Sequence, residues 1–336
     1  MDTAVGGRQR KKWKLQRVFV CLIVAALVAA SCGDDDDGDD AAAAGTDGLT
    51  SVRIAYVEGF GSLPVHVAAT QGFFEDNGLA VEETPGTDFS LWIQGLDRQF
   101  DIVLGIGPPT LGALGAGIDV VGVSGLVRSD DAAPNNPILT NDDSIQSIED
   151  LAGKRVGVLN ATGSVAESIE YLVEEGGGEE VALVPTPFPA MPDQLNAGQL
   201  DAASVVIPFD AVLLEQGYRS VGDPVVEYAK ATTGSDDTAN AFFISTRSYA
   251  DDNPDVIEAW QTSLQQAIDW IAANEAEARQ LVVDWLEVPA EVVEIATLPN
   301  FSTDLSAEDL EVFGALSQDR GNLEEIPNLE DFIWQP

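Results

Sequence analysis

Residues 52–74 read VRIAYVEGFGSLPVHVAATQGFF, and the period of this stretch changes half-way along. Val52, Ile54 and Tyr56 alternate, which predicts a strand. Glu58-Gly59-Phe60-Gly61 breaks the alternation, because glycine supplies a turn and leaves backbone amides unobstructed. Ser62 then stands where a helix N-cap belongs and Pro64 suits a first helical turn. Val65, Ala68, Ala69 and Phe73 follow at helical spacing. A strand that passes through a glycine turn into a helix leaves unpaired N–H groups at the helix start, with the positive end of the dipole behind them. The result is a polar socket. Taken alone, such a turn is in most folds no more than a connection.

The layout recurs. Residues 155–159 (RVGVL) read as a strand, residues 160–164 (NATGS) as a polar glycine turn, and Val165, Ile169, Leu172 and Val173 as a helix. Downstream of each unit lies an Asp-led apolar strand that ends in proline: residues 101–108 (DIVLGIGP) and 201–208 (DAASVVIP). Arg53 precedes Asp101 by 48 residues, and Arg155 precedes Asp201 by 46. Matched features at matched spacings predict two lobes of similar build. Strands alternating with helices at these lengths predict an α/β fold, each lobe a mainly parallel sheet flanked by helices. Sockets at the helix starts of facing lobes imply a ligand held between them.

Length and composition agree. With 336 residues the chain has room for about two domains, and 45% apolar residues mark it as globular. The formal net charge is −41. From Cys32 onward only ten basic side chains stand against 56 acidic ones. Nucleic acid is thereby excluded as a partner, since affinity for it rests on cations that neutralise phosphates. An anionic membrane surface is excluded as a direct partner of the folded part for the same reason. The acidity itself reads as a solvated surface suited to salty surroundings, and screening separates it from the chemistry of a pocket.

The amino-terminal region reads as export machinery. Basic residues within 8–17 precede the apolar run 18–30 (VFVCLIVAALVAA), too short to span a bilayer comfortably and right for a secretory signal core. Ala29-Ala30-Ser31 before Cys32 resembles a bacterial lipobox, which implies a signal peptide over residues 1–31 and a lipid on Cys32. An ordinary cleaved signal or a short anchor is the alternative. Cys21 lies within the signal, so no thiol remains for a disulfide, a metal or catalysis. Residues 32–50 form an acidic, low-complexity linker that reads as a solvated tether rather than a calcium site.

Within the body, lobe I is expected over residues 51–138 and 241–336 and lobe II over 139–240, with hinge crossings near 138–141 and 238–245. Residues 119–127 (DVVGVSGLV) read as a strand buried on both faces. Ser147 with Asp150 reads as a capping box. Residues 185–192 (PTPFPAMP) read as stiff loop and 229–238 (AKATTGSDDT) as loop. The C-terminal third is helical, with stripes over 256–271, 281–286 and 305–316 expected to pack on lobe I. The sole histidine, His66, sits on a predicted helix and reads as a packed residue. No Ser/His/Asp set, cysteine cluster or paired-carboxylate spacing rises above the acidic background, so the chain does not read as an enzyme.

Five segments together resemble one family: 53–82, 100–114, 147–164, 195–213 and 253–271. Their wording (RIAYVEGFGSLPVHVAATQGFFEDNGLAVE, SIEDLAGKRVGVLNATGS and LNAGQLDAASVVIPFDAVL among them) is similar to substrate-binding proteins of ABC importers, nitrate/sulfonate/taurine type. That group also holds binders of a thiamine pyrimidine precursor. The resemblance implies the type II periplasmic-binding-protein fold, a hinged clamp that passes a small solute to ABC permease and ATPase subunits. It implies a monomer facing the periplasm or cell exterior, with no cofactor, no catalytic residue and no metal. It also implies a cleft lined by Phe60, Gly61 and Ser62, by Gly107 and Pro108, by Asn160, Thr162, Gly163 and Ser164, and by Pro208 and Phe209. Where relatives often carry a polar residue just before this Pro-Phe, the chain has Ile207.

Those loops offer hydroxyls, amides and aromatics but almost no Lys or Arg. Helix-start amides contribute roughly 0.3–1 kcal/mol each, so a small anion needs contacts from both lobes. Phe60, Trp92, Phe188 and Phe209 allow a flat heterocycle or an apolar tail instead. An organic solute with a neutral or weakly anionic group is preferred over a bare inorganic anion. The family's enzymatic branch, which makes the thiamine pyrimidine, carries a cysteine-rich iron motif that this chain lacks. A sensor that presents solute to a membrane receptor would use the same cleft.

Overall fold

The computed structural model describes residues 48–336. Residues 1–31, expected to be a signal peptide, with Cys32 and nearly all of the expected linker, lie outside the described residues. Eleven strands run in chain order as β1 (Thr50–Tyr56), β2 (Leu79–Pro85), β3 (Ile102–Gly105), β4 (Val120–Ser129), β5 (Ile138–Thr140), β6 (Arg155–Val158), β7 (Ala182–Pro185), β8 (Ala202–Ser204), β9 (Arg219–Ser220), β10 (Thr238–Thr246) and β11 (Asn300–Phe301).

They form two sheets, ordered β2-β1-β3-β10-β4-β11 and β7-β6-β8-β5-β9. Without β11 the two orders match strand for strand. In each, the first three strands run parallel, the fourth (β10 or β5) runs against them, and the fifth (β4 or β9) runs with the first three again. The sheets are therefore mixed, with the parallel pairings confined to the repeated units and a single reversed strand in each five-strand set. The fold is the two-lobe α/β body expected from the duplication, with helices packed on both sheets.

The matched Arg and Asp positions explain how the parallel strands are fastened. Asp101 Oδ2 accepts from Arg53 N (2.8 Å) and Arg53 Nε (3.0 Å), and its Oδ1 accepts from Arg53 Nη2 at 2.5 Å. In the second lobe, Asp201 accepts from Arg155 N, Nε and Nη2 at 2.8, 3.0 and 2.8 Å. The backbone N–H of each Asp returns a bond to the carbonyl of its Arg. Even the cap is shared: Ser245 Oγ donates to Asp101 O, and Thr140 Oγ1 donates to Asp201 O. One clip is used twice, at the amino end of the parallel strands.

The crossings lie at the opposite end. Phe242 opposes Gly105, the last residue of β3, so β10 enters the first sheet at the carboxyl edge of its parallel strands. Ser129, where β4 leaves, opposes Thr238 at that edge. In the second sheet Ile138, the first residue of β5, opposes Ser204, the last residue of β8. Both lobes thus turn the carboxyl ends of their parallel strands toward the crossings, and so toward each other.

Local readings hold in most places. β4 is buried along nearly its whole length, and the second helical unit runs Ser164–Glu175. Asp150 Oδ2 accepts from Ser147 N at 3.1 Å, completing one half of the expected capping box. The loop expected over 229–238 is shorter. A helix, Pro224–Thr232, occupies its first part, because Asp223 caps the helix start (Val225 N to Oδ1, 3.0 Å) and Val225, Val226, Tyr228 and Ala229 are buried. The stiff loop over 185–192 likewise contains a short 3₁₀ turn at Phe188–Ala190 and the start of a helix at Met191.

The C-terminal helices Pro254–Ala273 and Glu275–Leu286 pack on lobe I, with Trp260 fully buried in its core. His66 stacks on Trp285 at 4.2 Å between ring centroids, and burial pushes its imidazole below the usual histidine range. The helix Ala307–Asp319 does more than expected. Beyond it Arg320 donates to both carboxylate oxygens of Glu174 (3.1 and 3.0 Å), and Asn322 Nδ2 donates to Glu167 Oε1 at 3.0 Å. The chain's last segment therefore touches both lobes.

Candidate functional site

In lobe I, β1 ends at Tyr56 and the chain passes through Gly59 into a single 3₁₀ turn, Phe60–Ser62, before the helix Leu63–Thr70. The turn points its side chains inward. Phe60 is 2% exposed and belongs to the lobe I core, and Ser62 is equally buried and makes no side-chain cap bond. What this loop turns outward is Val57 and Glu58, which with Pro85, Gly86 and Thr87 line a hollow of about 330 Å³. One strand over, Gly107 opens the helix Gly107–Gly115 after β3. A Cβ at Gly107 would sit 2.2 Å from Phe313 Cγ, so glycine here makes room for the C-terminal helix.

In lobe II, β6 runs into Asn160, Ala161 and Thr162, all exposed, and then Gly163 at φ +102 and ψ 176. That conformation is essentially reserved for glycine. The carbonyl of Gly163 accepts from Glu167 N at 3.0 Å, and its amide donates to Glu167 Oε1 at 3.4 Å, which starts the helix at Ser164. The amides of that first turn have no intrahelical partner. After β8, a cis Ile207–Pro208 bond leads into the helix Phe209–Glu215. Phe209 and Phe188 lean on the lobe II core.

The structure brings the predicted residues to two edges. Phe60, Gly61, Ser62, Gly107 and Pro108 lie at the carboxyl edge of β1 and β3, whereas Asn160, Thr162, Gly163, Ser164, Pro208 and Phe209 lie at that of β6 and β8. Contact between lobes runs through their neighbours. Ile207, 6% exposed, and Ala211 belong to the lobe I core cluster, and Val165 packs against the cores of both lobes. Ile207, which stood out only as a missing polar group, is thus an apolar contact that seals the lobes together.

Two acids complete the seam, and spacing did not reveal either. Glu167 and Asp210 are buried, each within the opening turns of its helix, and Glu167 Oε2 and Asp210 Oδ1 lack a hydrogen-bond partner. Burial pushes both carboxyls above the usual range, opposed at Glu167 by the amide of Gly163 and at Asp210 by the amides of Ala211 and Asp210 itself. The cations are elsewhere. Eight of the ten basic residues after Cys32 hold a carboxylate in an ion pair. A ninth, Arg219, is bound to the carbonyls of Asp142 and Ile145. Among the described residues no group of three or more His, Cys, Asp or Glu is arranged to hold a metal ion.

A family model described as NMT1/THI5 like matches residues 60–278, well over half of the chain. The chain belongs to the NMT1/THI5-like family. No curated relative matches it. Among solved structures, the periplasmic aliphatic sulphonate binding protein SsuA from Escherichia coli is similar, with a TM-score of 0.68 at 18% identity over 85% of this chain and 92% of that one. The alkanesulfonate-binding protein SsuA from Xanthomonas axonopodis pv. citri, solved with MOPS, matches with a TM-score of 0.66 at 18% identity, covering 85% and 98%. The periplasmic nitrate-binding protein NrtA from Synechocystis PCC 6803 gives 0.65 at 16% identity, covering 84% of each. At such identities the likeness is one of fold, and this member of the NMT1/THI5-like family has the type II periplasmic-binding-protein fold. Among the described residues no helix is long and apolar enough to cross a membrane.

Proposed function

We propose that this chain is the extracytoplasmic solute-binding component of an ABC importer, a clamp that captures a small organic solute between its lobes and makes or breaks no covalent bond. The observation that carries the reading is geometric. Two copies of one strand–turn–helix unit turn their carboxyl edges toward each other beside the two crossings, and ligands of open α/β sheets bind outside such edges. Family membership and the solute-binding names of structurally similar proteins support it.

In this reading residues 1–31 are removed as a signal peptide, Cys32 carries the lipid, and residues 32–50 tether a monomeric body to the cell membrane. Lobe I comprises 51–138 with 241–336, and lobe II comprises 139–240. The backbone of loop 60–62, the turn at Gly107-Pro108, residues 160–164 and Pro208-Phe209 line the cleft. Closure adds contacts from the second lobe, which a micromolar constant of about −8 kcal/mol requires. A thermal-shift panel of sulfonates, amino-sulfonates, nitrate and pyrimidines on the soluble body tests it. A solute at about 100 times its dissociation constant should stabilise by roughly 2.7 kcal/mol, and Ser164→Ala should weaken that response. Catalytic turnover of a panel member, or a response that does not change with Ser164→Ala, Phe209→Ala or their combination, would refute the assignment.

A further inference from the structure

The seam between the lobes holds a carboxylate with no counter-charge. Asp210 is the second residue of the helix Phe209–Glu215 and is 7% exposed. Phe209 and Leu213, on one face of that helix, lean on the lobe II core. Ala211, on the other, joins the lobe I core together with Ile207, which precedes the helix. At a hundred degrees per residue, Asp210 falls between those two stripes, where the lobes meet. Its Oδ1 is buried without a partner, and no Lys, Arg or His of the described chain pairs with it.

A helix start welcomes an acid, but an exposed acid serves the dipole as well, and burying one without a partner costs the fold free energy. A carboxylate kept in that position is matched to something that arrives from outside. The rest of the seam has the same sign. Glu167 Oε2 is also buried without a partner, Glu58 stands on the rim of the lobe I hollow, and nine of the ten basic side chains are committed elsewhere, while the tenth, Arg98, is exposed beside the Arg53–Asp101 clip at the opposite end of the strands. A bare anion would meet carboxylates here and no free cation.

We propose that the solute taken between the lobes carries an amino group, an alkylammonium or the N–H of an amino-heterocycle, that docks on the carboxylate of Asp210. This rests on the reading of the seam as the solute site and narrows it to amine-bearing solutes. The test uses the soluble body and pairs of probes that differ by one amino group: taurine against ethanesulfonate, and 4-aminopyrimidine against pyrimidine. The amine of at least one pair should raise the melting temperature and bind by calorimetry, with its partner silent. Asp210→Asn should weaken that amine by about 10- to 100-fold, the weight of a charge-assisted hydrogen bond. The same variant should melt higher than wild type without solute, because a buried unpaired charge is gone, so lost binding is not lost folding.

Equal binding of both members of a pair, or an Asp210→Asn variant that binds the amine as wild type does, overturns the proposal. If only probes without an amine bind, the proposal falls and the solute-binding reading stands. Silence from every probe counts against both.

Discussion

Replacing Gly163 by alanine separates backbone strain from packing. Gly163 adopts φ +102 with ψ 176, and a Cβ there would meet nothing within 4 Å, so any loss comes from the backbone alone. Holding a non-glycine residue in that region costs about 1–3 kcal/mol. The control is Gly112→Ala, inside the helix Gly107–Gly115, also with nothing within 4 Å and with no positive φ. That change should stabilise by about 0.5–1 kcal/mol, the usual helix advantage of alanine over glycine. Two identical substitutions in open space should therefore move stability in opposite directions. Urea unfolding followed by tryptophan fluorescence reads both, and comparable slopes allow the midpoints to be compared. In a body of this size the loss amounts to roughly 2–4 °C of melting temperature per kcal/mol. The loop 160–162 is exposed and can yield, which sets the lower limit of the cost. If Gly163→Ala proves neutral, or stabilises as Gly112→Ala does, the turn does not need glycine and the built start of the Ser164 helix is misread.

Gly107→Ala should destabilise by about 1–3 kcal/mol through overpacking, since its Cβ would lie within 2.6 Å of three Phe313 atoms. Phe313→Ala removes two of those three, so a double-mutant cycle should show coupling of about 1 kcal/mol or more, and additive losses would dismiss the packing role. Of the two clips, Asp101→Asn should cost more than Asp201→Asn, because the Asp101 side chain is 8% exposed and that of Asp201 28%. The reverse order in urea would mean that burial does not govern the clips. Arg155 holds the Asp201 carboxyl below the usual range. Its contribution is therefore complete above an unfolded value of about 4 and is lost as pH falls through the folded value. The difference between wild type and Asp201→Asn should accordingly shrink in acid, and a difference that grows there would give the pair the wrong sign.

Much of this architecture was written locally. The strand–glycine–helix units, the Asp-led strands and the Arg–Asp spacings are short-range patterns, and each became a matched element of the two sheets. The helix from Pro224 escaped notice because its buried stripe (Val225, Val226, Tyr228, Ala229) is brief and runs into a polar tail. The site was legible only as loops. Glycine and proline announce turns, but they do not say which way a side chain will face. Phe60, with an aromatic ring offered by an apparent socket, proved to be core, and Gly107 proved to make room for Phe313. Asp210 was illegible because an acid after a proline in a helix start is ordinary in a chain this acidic. What sets it apart is burial without a partner, which only the meeting of two lobes creates.

That meeting is chemically mixed, and the mixture bears on how the clamp works. Ile207, Ala211 and Val165 make it apolar near the turns. Farther along, Arg320 with Glu174, Asn322 with Glu167 and Tyr228 with Asp319 make it polar. Within this polar part Glu167 Oε2, Ser168 Oγ, Ser317 Oγ and Arg320 Nε are buried without partners. Each such group forfeits about 1–3 kcal/mol relative to water, which offsets the gain from the apolar contacts. Separation of the lobes returns those atoms to solvent, so closed and open arrangements come closer in free energy than the buried apolar area alone would put them. A solute can shift such an equilibrium only by the difference between its affinities for the two states. A seam with its own polar groups unsatisfied needs a smaller difference to be tipped than a wholly apolar seam, which would stay shut with or without its cargo.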